Sequence, residues 1–282
     1  MHIPDMMLQG AICPATAALA SMGLAGTAYA ACKTKIKPAA SLFAGVTALI
    51  FTAQMVNFPI LVGTSGHLLG ATLAVALLGS AFGIMAMSLV VITQCLVFAD
   101  GGISVLGANL LNMALLASLP AVIVREFYTT ASFKNTAYFA AAFVSTLLAA
   151  AACAAQLAMS GVAPMQSVFS AMLSIHALVG LAEAGLTVAL LVVLAHAISR
   201  VAPHRAWMVP LGFAAVIAVL VSPFAAVTPD GLESVAGALG FLHLSDAFIV
   251  TPFAGYTALS GFVGVVALFA AAYGTGRVLA RS

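Results

Sequence analysis

The chain opens Met1-His2. A histidine at position 2 presents a divalent metal with three nitrogens in a row: the terminal amine, the His2 amide once deprotonated, and the His2 imidazole. Together they close two fused chelate rings. A second histidine ends the segment Gly63-Thr64-Ser65-Gly66-His67 and offers a fourth nitrogen. Four nitrogens in a plane suit Ni(II), Cu(II) or Co(II), whereas Mg and Ca prefer oxygen. Gly63 and Gly66 permit the tight backbone of such a turn. Asn57, Thr64 and Ser65 are candidates, by proximity, to orient the imidazoles from outside the ligand shell. The same chemistry requires that Met1 keep a free amine, and a bulky second residue favours its retention.

These residues sit in an apolar chain. Of 282 residues, 64% are hydrophobic and 6% charged, against about 25% charged in a soluble domain. Such a chain is read as a polytopic helical membrane bundle, all-α. Candidate spans are 11–31, 39–57, 68–79, 82–98, 103–124, 136–158, 168–198, 207–225 and 257–276. Residues 11–31 end in a signal-peptide-like Ala-Tyr-Ala-Ala. Yet the first ten residues carry no Lys or Arg, and Lys33, Lys35 and Lys37 follow the apolar run. That reverses the signal-peptide order, so a retained first helix with its N-terminus outside is expected. The cysteines read as small hydrophobes rather than disulfide partners. A net charge of +2 gives no footprint for nucleic acid.

All nine Lys and Arg residues lie outside the spans, clustered at Lys33/Lys35/Lys37, Arg125/Lys134, Arg200/Arg205 and Arg277/Arg281. The positive-inside rule places all four clusters in the cytoplasm. Parity then forbids residues 68–98 from forming one helix and predicts a break near Gly79-Ser80-Ala81-Phe82-Gly83. A helix over 68–79 would be about 18 Å long, too short to cross alone, and so buried within the bundle. His67 thereby falls on the outer side with His2. The chain divides into a seven-span module over 1–205 and a two-span module over 206–282. The second encloses an outer segment, 226–256, containing Thr228-Pro229-Asp230-Gly231-Leu232-Glu233. That segment is expected to assist metal loading.

Five ordered stretches carry a resemblance. They are Met1-His2-Ile3-Pro4-Asp5, Gln54-Met55-Val56-Asn57-Phe58-Pro59-Ile60, and Gly63 through Gly70. The last two are Phe98 through Gly102 with Leu106 through Met113, and His176 through Ala184. The chain resembles the metal-binding M component of nickel/cobalt energy-coupling-factor (ECF) transporters. Its Pro-Asp-Gly-Leu-Glu resembles the small N component, here fused. The resemblance implies capture of Ni²⁺ or Co²⁺ from outside through the Met1 amine, the His2 amide and imidazole, and His67. It also implies a cell-membrane location, a transmembrane coupling (T) protein and cytoplasmic ATPases on separate chains as partners, and no cofactor. Where the family often has Glu-Gly after the opening, this chain has Met6-Met7 after Asp5.

Two further groups stay open between readings. His176 and Glu183 lie about 20° apart around one apolar helix. They are either a functional intramembrane polar pair or a cross-helix tie. Asp100, before Gly101-Gly102, is read as closing a turn in preference to guiding metal entry. The chain has no GxxxxGK[ST] phosphate loop and no nucleophile–base pairing, so it is not expected to be an enzyme. A stand-alone metal permease, or a membrane enzyme using His176 and Glu183, are the competing functions.

Overall fold

In the computed structural model every residue is described except 62, 128–132, 246–247, 249–250, 254–255 and 282. The apolar runs are helices, because only a helix satisfies its backbone hydrogen bonds within one segment in lipid. Among the described residues, nine helices match the nine candidate spans. They are α1 (Ile12–Lys33), α2 (Ala40–Gln54), α3 (Ala71–Leu78), α4 (Ser80–Phe98) and α5 (Leu106–Phe127, with a π-helical stretch at Leu110–Leu115). After these come α6 (Lys134–Met159), α7 (Met165–Ser199), α8 (Pro203–Phe224) and α10 (Ala258–Arg281). Seven of them are long and apolar enough to cross a membrane. The protein is thus a multi-pass membrane helical bundle.

The expected break falls at Gly79. Its φ of 92° lies where a side chain is disfavoured, and the chain turns there from α3 into α4. The short α3 is enclosed, with six of its eight residues buried. Gly83 lets the two helices meet: a Cβ there would lie 2.6 Å from the Val75 backbone. Arg125 donates to the carbonyl of Ala76 at 3.1 Å, satisfying a carbonyl left open at the end of α3. At the same end of the bundle as one another, Lys37 donates to the Leu279 carbonyl at 2.7 Å.

Two elements were not legible in hydropathy. A small antiparallel hairpin, β1 (Phe58–Leu61) and β2 (Thr64–Gly66), precedes His67. A short helix, α9 (Gly231–Leu239), lies between α8 and α10 and is started by a capping box. The Asp230 carboxylate accepts from Glu233 N, and the Glu233 carboxylate accepts from Asp230 N, both at 2.9 Å. An aromatic seam runs from the core toward the site. Phe51 meets Phe98 at 5.0 Å between centroids, and Phe98 meets Tyr256 at 5.6 Å. Each such pair contributes about 0.5–1.5 kcal/mol beyond area burial.

Candidate metal-binding site

The N-terminus is anchored before any metal is considered. Ile3 is fully buried. Its N–H donates to Asn109 Oδ1 at 2.9 Å, and its carbonyl accepts from Asn109 Nδ2 at 3.0 Å and Gly102 N at 2.8 Å. Gly102 is needed for this close approach, since a Cβ would run into the Asp5 backbone nitrogen and carboxylate. Asp5 Oδ1 accepts from Ser104 N at 2.8 Å and Ser104 Oγ at 2.6 Å. Those bonds hold its carboxyl below the usual range against the opposing effect of burial.

Met1 and His2 are thereby delivered to His67. The terminal amine lies 3.5 Å from His67 Nε2, and the His2 and His67 rings stack with centroids 5.7 Å apart and planes 17° apart. His67 Nδ1 faces the Leu68 carbonyl at 3.1 Å. A proton there leaves the Nε2 lone pair directed at the amine. Burial first, then the positive terminus and His2, push the His67 pKa down to about 4, so the ring is neutral at physiological pH.

His2 is held at both ring nitrogens. Nε2 lies 3.1 Å from Gln94 Oε1 and Nδ1 lies 3.1 Å from Asp100 Oδ1. Nδ1 stands close enough to the carboxylate for a proton or a cation to bridge them. Asp100 is itself oriented by Tyr256, whose hydroxyl donates to Oδ2 at 2.5 Å. His2 lies beside Asp100 and keeps its carboxyl far below the ordinary range, against burial. The amine, in turn, forms an ion pair with Asp230. The pKa of the amine is raised: burial lowers it, and the attraction and hydrogen bond of Asp230 outweigh that loss.

Residues 226–234 close over these groups. Ser65 N donates to the Pro229 carbonyl at 2.9 Å, and Ser65 Oγ to the Thr228 carbonyl at 2.7 Å. Ser234 Oγ donates to Thr64 Oγ1 at 3.1 Å, and Ala226 N to the Asn57 carbonyl at 2.8 Å. Asn57, Thr64 and Ser65 therefore fasten the hairpin to residues 226–234. The groups that hold the imidazoles are Gln94, Asp100 and the Leu68 carbonyl. A cavity of about 580 Å³ opens beside the site, lined by His2, His67, Asp100, Asp230, Gln54 and Tyr256 among others. Gln54 Oε1, buried at its edge, has no hydrogen-bond partner among the described residues.

His176 and Glu183 do not bond each other. Glu183 accepts from Leu69 N at 2.6 Å and Gly70 N at 2.9 Å, which pins the backbone just after His67. His176 Nδ1 bonds the Met172 carbonyl of its own helix at 2.8 Å. Among the described residues no three His, Cys, Asp or Glu side chains already converge on one cation position. The nitrogen set expected from the sequence includes two backbone nitrogens.

Seven long apolar helices around a buried, charged N-terminus define a multi-pass membrane protein with a polar cavity beside that terminus. Residues 2–203 match the model of the family described as cobalt uptake substrate-specific transmembrane region, and the chain belongs to that family of cobalt/nickel transport membrane proteins. An Archaeoglobus fulgidus protein named as a fused nickel transport protein, NikMN, is 34% identical over 96% of this chain and 96% of its own length. The fused nickel transport protein NikMN of Rhodobacter capsulatus is 34% identical over 44% of this chain and 36% of its own. A crystal structure titled as a truncated transition metal transporter superposes with a TM-score of 0.61 at 30% identity, over 70% of this chain and 99% of that one.

Proposed function

We propose that this chain captures Ni²⁺ or Co²⁺ for an ATP-driven, ECF-type importer, with a coupling protein and ATPases on other chains. In this reading the ion is held by the Met1 amine, the His2 amide and imidazole, and His67 Nε2. Residues 1–205 are the binding module and 206–282 a fused N-type module. The N-terminus and the cavity face outside, and the C-terminus is cytoplasmic. The observation that carries the reading is the 3.5 Å approach of the Met1 amine to His67 Nε2, with the His2 ring stacked alongside. These nitrogens are 66 residues apart in sequence and are brought together by the anchoring of Ile3 and Asp5.

Charge balance supports it. The terminal ammonium faces Asp230 and His2 Nδ1 faces Asp100, so two carboxylates stand beside the nitrogens that must ligate. Their two negative charges match one dication. Ionising the His2 amide then leaves the site one unit more negative. Nε2–H of His2 can keep its bond to Gln94 throughout, which fixes the tautomer that frees Nδ1.

The test is uptake of radioactive Ni²⁺ or Co²⁺ in cells expressing this chain with and without the coupling protein and ATPases. Sustained accumulation should require all of them. Undiminished accumulation by the chain alone favours the stand-alone permease.

Affinity should also follow pH. An ammonium cannot ligate, and the raised pKa of the amine makes its proton a strong competitor. His67 adds no proton competition until the pH nears its value of about 4. Ni²⁺ affinity should therefore fall as pH drops from 9 to 6, by about tenfold per unit for each proton displaced. Calorimetric titration across that range measures the slope. Affinity independent of pH would point to carboxylate ligands.

A further inference from the structure

His176 lies beside the candidate site, at the edge of a small cavity. The residue is 2% exposed. Its Nδ1 is satisfied by the Met172 carbonyl at 2.8 Å, so the lone pair resides on Nε2. Among the described residues, that atom meets no hydrogen-bond donor. It opens instead onto a small cavity. Among the described residues the hydrogen bond of this side chain stays within α7, so it ties α7 to no other helix.

Nε2 points at Gly231. A Cβ on Gly231 would lie 2.9 Å from it, so a glycine after Asp230 is what lets that turn descend onto the imidazole. Beside this contact is a second, small cavity of about 10 Å³, room for one water or one bare ion. Met1, His67, Asp230 and His176 all line it. His67 and Asp230 also line the large cavity. Both therefore stand at the boundary between the two spaces. His176 is eleven residues into α7 from Met165, about 16 Å along the helix. Gly66 packs on Val179, one turn further along the same helix, so His67 and His176 stand side by side.

We infer that His176 Nε2 and the Asp230 carboxylate form a second, weaker station for the transported divalent cation, beside the Met1/His2/His67 set. This rests on the nitrogen-site reading. An ion chelated by three fused nitrogens leaves slowly unless its ligands are exchanged one at a time. His67 and Asp230 border both spaces, so the ion keeps a ligand at each exchange. One imidazole, one carboxylate and water suit Co²⁺ and Ni²⁺. The weaker set also meets a general requirement of conduction, that an ion bind well enough to enter and loosely enough to leave.

The test is a Co²⁺ titration of the purified full-length protein, followed by visible d–d absorption. It compares the parent chain, His2→Ala, His176→Gln and the double variant. His176→Gln alone should keep the tight step, showing that the variant folds and the first site is intact. His2→Ala should lose the tight step and retain a weaker one with its own absorption band. The double variant should lose that band. The inference is overturned if His2→Ala shows no residual step, or if His176→Gln leaves that step unchanged. Loss of the tight step in His176→Gln alone also overturns it, by assigning His176 to the frame of the first site. A tight step that survives His2→Ala refutes the nitrogen-site reading itself, and the second station falls with it.

Discussion

His67→Ala should abolish tight Ni²⁺ binding while leaving the protein folded and inserted. The His67 ring is neutral, its Nδ1 is fixed by the Leu68 carbonyl, and its Nε2 faces the Met1 amine at 3.5 Å. Alanine removes the fourth nitrogen and opens that coordination position to water. Loss of a group that merely supports a ligand typically lowers affinity by about 10–100-fold; loss of the ligand itself should exceed that. Little of the fold depends on this ring, because the loop is held through Ser65 to residues 228–229 and through Glu183 to Leu69 and Gly70. Calorimetric titration in detergent, with a thermal melt as control, reads the effect. Affinity within about tenfold of the parent in a well-folded variant would remove His67 from the ligand set.

Glu183→Ala should damage both stability and binding. The carboxylate accepts from two consecutive backbone amides, Leu69 N and Gly70 N, within the bundle. No solvent reaches there to replace it, since Glu183 is 1% exposed and Leu69 is 3% exposed. Each orphaned amide costs about 1–3 kcal/mol, more where the lost partner was charged. The combined loss of about 2–6 kcal/mol should appear as a markedly lower melting temperature. His67 lies two residues before the freed backbone, so Ni²⁺ affinity should fall as well. Glu183→Gln keeps one acceptor oxygen and should fall between the two. A melting temperature unchanged in Glu183→Ala would contradict the anchoring role. Unchanged Ni²⁺ affinity in a destabilised variant would separate the anchor from the site.

Much of the architecture was readable because lipid imposes simple rules. Hydropathy marks each helix, and charge parity alone demands the break that Gly79 makes. His2 was readable because its chelating power is local. The two carboxylates were not. Asp100 reads as a turn residue before two glycines, and Asp230 reads as a helix cap, which it is. Its other oxygen pairs with a terminus 229 residues away, and nothing local announces that second duty. A signal did exist. The chain has only seven acidic residues, and parity places Asp100 and Asp230 on the same side of the membrane as His2 and His67. Two rare acids facing a cation site are its natural counter-charges. The hairpin at 58–66 escaped notice because it is short and its strands, tied to residues 226–234, are held by contacts from the far end of the chain.

The account stands most directly on the fused chelate rings of the terminus. One alanine inserted between Met1 and His2 keeps every side chain of the parent, yet it puts an extra residue between the amine and the His2 amide. Mass spectrometry first establishes that Met1 is present and unmodified, and Ni²⁺ titration then gives the answer. The terminal-amine site predicts loss of tight binding in the inserted protein with its melting behaviour preserved. Parent-like affinity in that protein would contradict it.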